Sequence, residues 1–140
     1  MVSTIAVCVA TYRRHTLLRR LLESLSAIEK PEGTVVEVRL VDNDADGSST
    51  PTVESLLDKE LAPRKLIHAI EPKQGIAEAR NRAVEMGPAD FFVFVDDDEW
   101  VEPDWLVSLM RTQETTRADV VLGSVSVSYT HLTLPTIYSV

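Results

Sequence analysis

No apolar run in this 140-residue sequence approaches the ~18–20 residues that cross a bilayer. The opening stretch "MVSTIAVCVATYRR" has no positive segment ahead of its apolar residues. It therefore does not read as a signal peptide, and a cytoplasmic location is expected. The single cysteine, Cys8, has no partner for a disulfide; inside an apolar run it is expected to serve as a buried small hydrophobe. Basic residues are few, with 14 Lys and Arg against 22 Asp and Glu and a net charge of -8. That balance argues against a general nucleic-acid binder, which needs basic patches for the phosphate backbone. It leaves room for a small phosphorylated ligand, because a divalent cation can bridge carboxylates to a diphosphate. Neither G-x-x-x-x-G-K-[ST] nor G-x-G-x-x-G is present, which weakens a nucleoside triphosphatase or dinucleotide reading. His15, His68 and His131 are far apart and suggest neither a zinc site nor a catalytic triad. From Ser124 to Val140 there is no Asp, Glu, Lys or Arg at all. Such an end is either a buried hydrophobic hairpin or not native sequence. "SYTHLTLPT" resembles translated sequencing-adapter read-through, so residues 128–140 are expected to be a non-native or disordered tail.

What is present alternates. "TIAVCV" (4–9), "VVEVRLV" (35–41), "KLIHAI" (65–70), "FFVFV" (91–95) and "DVVLG" (119–123) read as strands. Between them lie helical patterns: Leu17, Leu18, Leu21, Leu22, Leu25 and Ile28; then Val53, Leu56, Leu57 and Leu61, opened by Thr50-Pro51. "IAEARNRAVEM" (76–86) is a third, stopped by Gly87-Pro88, and Pro103 opens a fourth with Trp105, Leu106, Leu109 and Met110. Strands alternating with helices of this length predict an α/β fold with a mainly parallel sheet flanked by helices.

Polar clusters follow the first four strands directly: "ATYRR", "DNDADGSS", "EPKQGIAEARN" and "DDDEW". In a parallel sheet the carboxyl ends of the strands share one edge, where ligands bind, so the four clusters are expected to converge. Asp96, Asp97, Asp98 and Glu99 are four consecutive carboxylates that repel one another. Hard cations such as Mg²⁺ and Mn²⁺ take oxygen ligands of this kind. If the backbone stays extended, Asp96 and Asp98 point the same way. Alone, a D-x-D triplet is a weak signal. Other residues admit two readings each. Tyr12 stacks on a nucleobase or is half-buried at a strand end, and Trp100 is a platform for a sugar face or a packed rim residue. Asp42 contacts a base or ribose, or caps the following turn. Arg80 pairs with phosphate or with a neighbouring glutamate. Gly75 permits close backbone approach to a ligand, or only forms a turn.

Together, "VCVATYRR", "LLRRLLESL", "VRLVDN", "GIAEARNRAV", "FVFVDDDEWVEPDWL" and "ADVVLGSV" resemble glycosyltransferase family 2, in the family's order and over roughly residues 4 to 125. The resemblance implies a GT-A, Rossmann-like fold and a nucleotide diphosphate sugar donor. It places Thr11, Tyr12, Arg14, Asp42, Asn43, Gly75, Arg80, Asn81, Asp96 and Asp97 on the donor side. It also implies a divalent cation, Mn²⁺ or Mg²⁺, held by Asp98 with Asp96. Family members invert the anomeric carbon with a carboxylate general base that lies further along than this chain runs. Residues 1–127 are therefore expected to be the nucleotide-sugar-binding half of a truncated GT-A domain, inactive or weak alone. Ala10 departs from the family, whose members often carry a hydroxyl there. The acceptor (glycan, lipid-linked or other) is not indicated, and any tie to the inner membrane face would come from outside this chain. Rival readings are a noncatalytic nucleotide- and metal-binding module and a sugar-phosphate nucleotidylyltransferase. The latter needs a glycine-rich phosphate loop that "ATYRRHT" lacks.

Overall fold

The computed structural model describes residues 2–57, 65–127, 132–133 and 136–139. In chain order the elements are β1 (Ser3–Thr11), α1 (His15–Ser26), β2 (Thr34–Asp42), α2 (Thr50–Leu57), β3 (Lys65–Ile70), α3 (Ile76–Glu85) and β4 (Phe91–Asp96). They continue with β5 (Glu99–Trp100), α4 (Trp105–Thr116), β6 (Val120–Leu122), β7 (Val125–Val127), β8 (Leu132–Thr133) and β9 (Thr136–Ser139). The first four strands are parallel in the order β3-β2-β1-β4, the mainly parallel α/β arrangement expected. All four expected helices form, and each expected strand is found within two residues of its predicted ends. Leu61, placed in the second helical stripe, lies outside the described residues.

Alternation along the strands divides the core between two faces. Ile5, Val7 and Val9 of β1 join Val36, Val38 and Leu40 of β2 and Val93 and Val95 of β4 on one face. Against them pack Leu18, Leu21, Leu22 and Leu25 of α1, each fully buried, with Val53 and Leu56 of α2 and Trp105, Leu106 and Leu109 of α4. The opposite face is built from smaller side chains: Ala6 and Cys8 of β1 meet Ala79 and Ala83 of α3, with Phe92 and Val41 beside them. Cys8 is buried there as expected, and desolvation pushes its thiol up to about 12, far from reactive thiolate behaviour.

Register aligns the strand ends. Thr11 pairs with Asp42, Asp42 with Ile70, and Ala10 with Asp96, so the residues that open the polar clusters lie in one row. Beyond β4 the chain departs from the sequence reading. It turns at Asp97-Asp98 and folds back into the short β5, which pairs antiparallel with β7. Of the final segment, Thr136–Ser139 pair antiparallel with β4 and with β6, and Leu132–Thr133 pair with β7. Residues 128–131, 134–135 and 140 lie outside the described residues. Among the described residues, no helix is long and apolar enough to cross a membrane.

Candidate functional site

At the carboxyl edge of the parallel sheet lies a cleft of about 450 Å³. Ala10, Thr11, Tyr12 and Arg14 come to it from the end of β1 and the turn into α1, and Asn43 comes from the end of β2. Ile76 and Ala79 belong to α3, and Asp96, Asp97 and Asp98 to the end of β4. Clusters separated by dozens of residues thus meet, because parallel strands must all finish on the same edge. A second cleft of about 380 Å³, between α4 and the β6–β7 segment, contains Glu102 and Asp104 but none of the residues singled out above as site candidates.

Each of the four carboxylates has its own partners. Asp96 is half exposed and pairs with Arg80, whose Nη2 lies 3.4 Å from its Oδ1. Asp97 turns inward, accepting a hydrogen bond from the Thr11 hydroxyl at 2.9 Å and facing Arg14 Nη1 at 3.4 Å. Arg14 Nη1 also lies 3.7 Å from Asp98 Oδ2. Glu99 is buried and its Oε1 accepts the backbone N–H of Asp96 at 2.6 Å, closing the turn. The extended backbone expected through Asp98 is therefore not found. A turn replaces it because Glu99 satisfies the Asp96 N–H from three residues ahead. Arg14 lies between the Asp97 and Asp98 carboxylates and Arg80 beside Asp96, so two cations offset the like charges.

Burial pushes the Asp97 carboxyl above its ordinary range. The Thr11 hydroxyl, the Arg14 charge and the Tyr12 N–H oppose the shift, while the Asp98 charge adds to it. Its neighbours Asp96 and Asp98 remain open to the cleft. Among the described residues, no three His, Cys, Asp or Glu side chains form a group able to hold a metal by themselves. Mg²⁺ and Mn²⁺ are commonly bound through one or two carboxylates plus substrate phosphates. Asp96 and Asp98 each bring carboxylate oxygens to the cleft lining, the ligand type that a cation shared with substrate phosphates takes.

The remaining candidates divide. Asp42 is fully buried and turned into its own loop. Its carboxylate accepts the N–H of Asp44 at 3.0 Å, the N–H of Ser49 at 2.9 Å and the Ser49 hydroxyl at 2.6 Å. These bonds close the turn that follows β2. Asn43 lines the cleft while its amide knits the loop after β3, donating to the carbonyls of Glu71 and Lys73 and accepting the N–H of Gly75. Gly75 has φ of +143° at the start of α3, a conformation costly for any side chain. Tyr12 is 40% exposed, and the Arg13 guanidinium stands 5.1 Å from its ring centroid. Arg80 pairs with Asp96 rather than a glutamate, and Asn81 is exposed on α3 and does not line the cleft.

Several contributors were not legible as such. Arg13 binds Asp44 at 3.0 Å, and this bond, with that from the Asp46 N–H, holds the Asp44 carboxyl at about 2. Arg20 of α1 lies over Trp100, 3.9 Å from the ring centroid, and packs against that face of the indole. Arg39 is 2% exposed within β2 and binds Glu37 at 2.7 Å and the carbonyls of Ala83 and Gly87 at 2.9 Å. Arg20 and Arg39 had a sequence signal. Arg20 and Ser24 interrupt a leucine-rich helix four residues apart, and Glu37 and Arg39 share one face of a strand.

Comparison with known proteins agrees with this geometry. The profile described as "Glycosyl transferase family 2" matches residues 6–137. The chain belongs to glycosyl transferase family 2. Over 125 residues this family 2 chain is 39% identical to the succinoglycan biosynthesis protein ExoM of Rhizobium meliloti, covering 89% of the chain and 40% of the relative. Over 108 residues it is 31% identical to the putative glycosyltransferase EpsH of Bacillus subtilis, covering 77% of the chain and 30% of that relative. It therefore spans less than half the length of these curated relatives. Among solved structures, S. aureus TarS 1-349 in complex with UDP-GlcNAc superposes with a TM-score of 0.72 at 25% identity, over 85% of this chain and 33% of that one. A mannosyltransferase from Pyrobaculum calidifontis, solved with GDP-Man and Mn²⁺, shares the fold with a TM-score of 0.72 at 20% identity, over 86% of this chain and 35% of that one. The GT-A-like fold accordingly covers most of the family 2 chain.

Proposed function

We propose that residues 1–127 form the donor-binding part of a glycosyltransferase that moves a sugar from a nucleotide diphosphate sugar to an acceptor, with inversion. The observation that carries the proposal is the meeting of Thr11, Tyr12, Arg14 and Asn43 with Asp96, Asp97 and Asp98 around one cleft at the carboxyl edge. In this reading Tyr12 and Thr11 border the nucleotide, with Asp42 and Asn43 shaping the loop that bounds it. Gly75 lets the backbone come close to the donor, Arg80 turns from Asp96 toward its phosphates, and Asn81, outside the cleft lining, is assigned a place beside the donor beyond it. Asp97 stays inside, fixing Thr11 and Arg14, while Asp98 with Asp96 holds a divalent cation, Mn²⁺ or Mg²⁺. When bound, that cation supplies neutralising charge for the departing nucleoside diphosphate. Arg14 and Arg80 exchange their carboxylate partners for phosphate oxygens when the donor enters, since guanidinium groups suit both anions.

The general base that deprotonates the acceptor is assigned to a carboxylate outside residues 1–127, and residues 128–140 to a tail without a functional role. This chain alone is thus expected to bind donor with little or no turnover. Likeness to a succinoglycan biosynthesis protein supports a place in glycan assembly, with the acceptor a growing glycan or lipid-linked sugar. The site is proposed to work on the cytoplasmic side. Calorimetric titration of UDP, GDP and dTDP, with and without Mn²⁺, into this chain and Asp98→Asn tests the reading. Manganese-dependent binding of one nucleotide, lost in Asp98→Asn, is expected. Equal binding by the two proteins would remove Asp98 from the donor site.

A further inference from the structure

We infer that Arg20 is a positioning residue for the metal-facing carboxylate, setting the orientation of Asp98 through the backbone of its turn; this rests on the donor-site reading above. Arg20 lies within α1, whose neighbouring Leu21, Leu22 and Leu25 are fully buried and fix the helix against the sheet. Its Nη2 donates to the carbonyl oxygen of Asp98 at 3.2 Å. Its guanidinium carbon stands 3.9 Å from the centroid of the Trp100 ring, a stack that favours the planar cation. One helical turn further, Ser24 Oγ accepts the N–H of Val101 at 3.2 Å. Two side chains of one rigid helix thus grip both ends of the stretch 98–101. The bond to the Asp98 carbonyl orients the peptide from which the Asp98 carboxylate projects.

A mainly structural arginine would have its donors satisfied. Arg20 does not: its Nε is buried with no hydrogen-bond partner among the described residues. An unsatisfied buried donor lowers stability, so a methionine of similar length removes a cost along with the bond and the stack. Stability and ligand binding are therefore expected to respond differently. Groups that orient a metal ligand without touching the metal typically change metal affinity by about 10–100-fold when removed.

The test titrates UDP and GDP, each with and without MnCl₂, into the 140-residue chain, Arg20→Met and Arg20→Lys, with thermal unfolding of all three. In Arg20→Met the gain in nucleotide affinity produced by Mn²⁺ is expected to fall about 10-fold or more, while metal-free affinity stays within about twofold. Arg20→Lys keeps the charge but loses the planar stack, and is expected to recover part of the loss. A fall in metal-free and metal-dependent binding by the same factor would make the role merely structural and overturn the inference. An undiminished manganese effect in Arg20→Met would overturn it while leaving the donor site intact. No manganese effect in the unsubstituted chain would refute the donor-site reading itself, and the role of Arg20 with it. Should Arg20→Met fail to fold, Trp100→Leu removes only the stacking surface and carries the same comparison.

Discussion

Replacing Arg39 by methionine tests a buried guanidinium with five hydrogen bonds among the described residues. Arg39 is 2% exposed, and its Nε donates to Glu37 Oε2 at 2.7 Å. Its Nη1 donates to the carbonyls of Ala83 and Gly87 at 2.9 Å, and Nη2 reaches the Pro88 carbonyl at 3.4 Å. The guanidinium therefore closes the carboxyl end of α3, where unpaired carbonyls and the helix dipole both favour a cation. Arg39→Met removes the charge and leaves these carbonyls and Glu37 behind in the protein. Breaking a buried pair from one side costs about 3–5 kcal/mol. Glu37 retains 13% exposure and has Lys65 Nζ at 3.8 Å, which places the expected loss toward the lower end. Against a typical domain stability of about 5–15 kcal/mol, that is a large fraction. Urea unfolding followed by circular dichroism gives the number. The double variant Glu37→Gln/Arg39→Met should recover part of the loss, because the uncompensated carboxylate is gone. A loss below about 1 kcal/mol for Arg39→Met would refute the reasoning, since the carbonyls would then have found other donors at little cost.

Two further outcomes follow from the ionisable groups. Thr11→Val deletes the hydroxyl donor to Asp97, and should cost about 1–3 kcal/mol at neutral pH. Asp97 already has a raised pKa, so its contribution favours the folded state at low pH and is lost as pH rises through the folded value. The Thr11→Val penalty should accordingly shrink on acidification, as unfolding midpoints at several pH values would reveal; a constant penalty would dissociate the hydroxyl from the charge. Asp44 behaves oppositely. Its pKa is depressed to about 2 by Arg13, so its stabilisation is complete above the unfolded carboxylate value of ~3.9 and disappears as pH falls toward 2. The stability gap between the natural chain and Asp44→Asn should close over that window, and a gap unchanged at low pH would contradict the Arg13–Asp44 pair.

The alternation of strands and helices was open to inspection because it depends on local patterning. Continuous apolar runs such as "FFVFV" read as strands covered on both faces, and leucines at helical spacing need one face to bury. The placing of polar clusters immediately after each of the first four strands likewise implied a shared edge, and Thr11, Asn43 and Asp96 do meet there. Side-chain direction was another matter. Nothing local says that Asp42 bends back to its own Ser49, or that Glu99 takes the Asp96 N–H and turns an expected extended run into a tight return. Nor does spacing reveal that Arg20 from one helix holds a carbonyl 78 residues away. Periodicity encodes which face of an element is buried, and this chain's periodicity by itself determined its layers and the edge at which its polar clusters meet. Which polar groups satisfy one another depends on distances between elements that only packing creates, so the tertiary structure alone decided how each carboxylate at that edge is held.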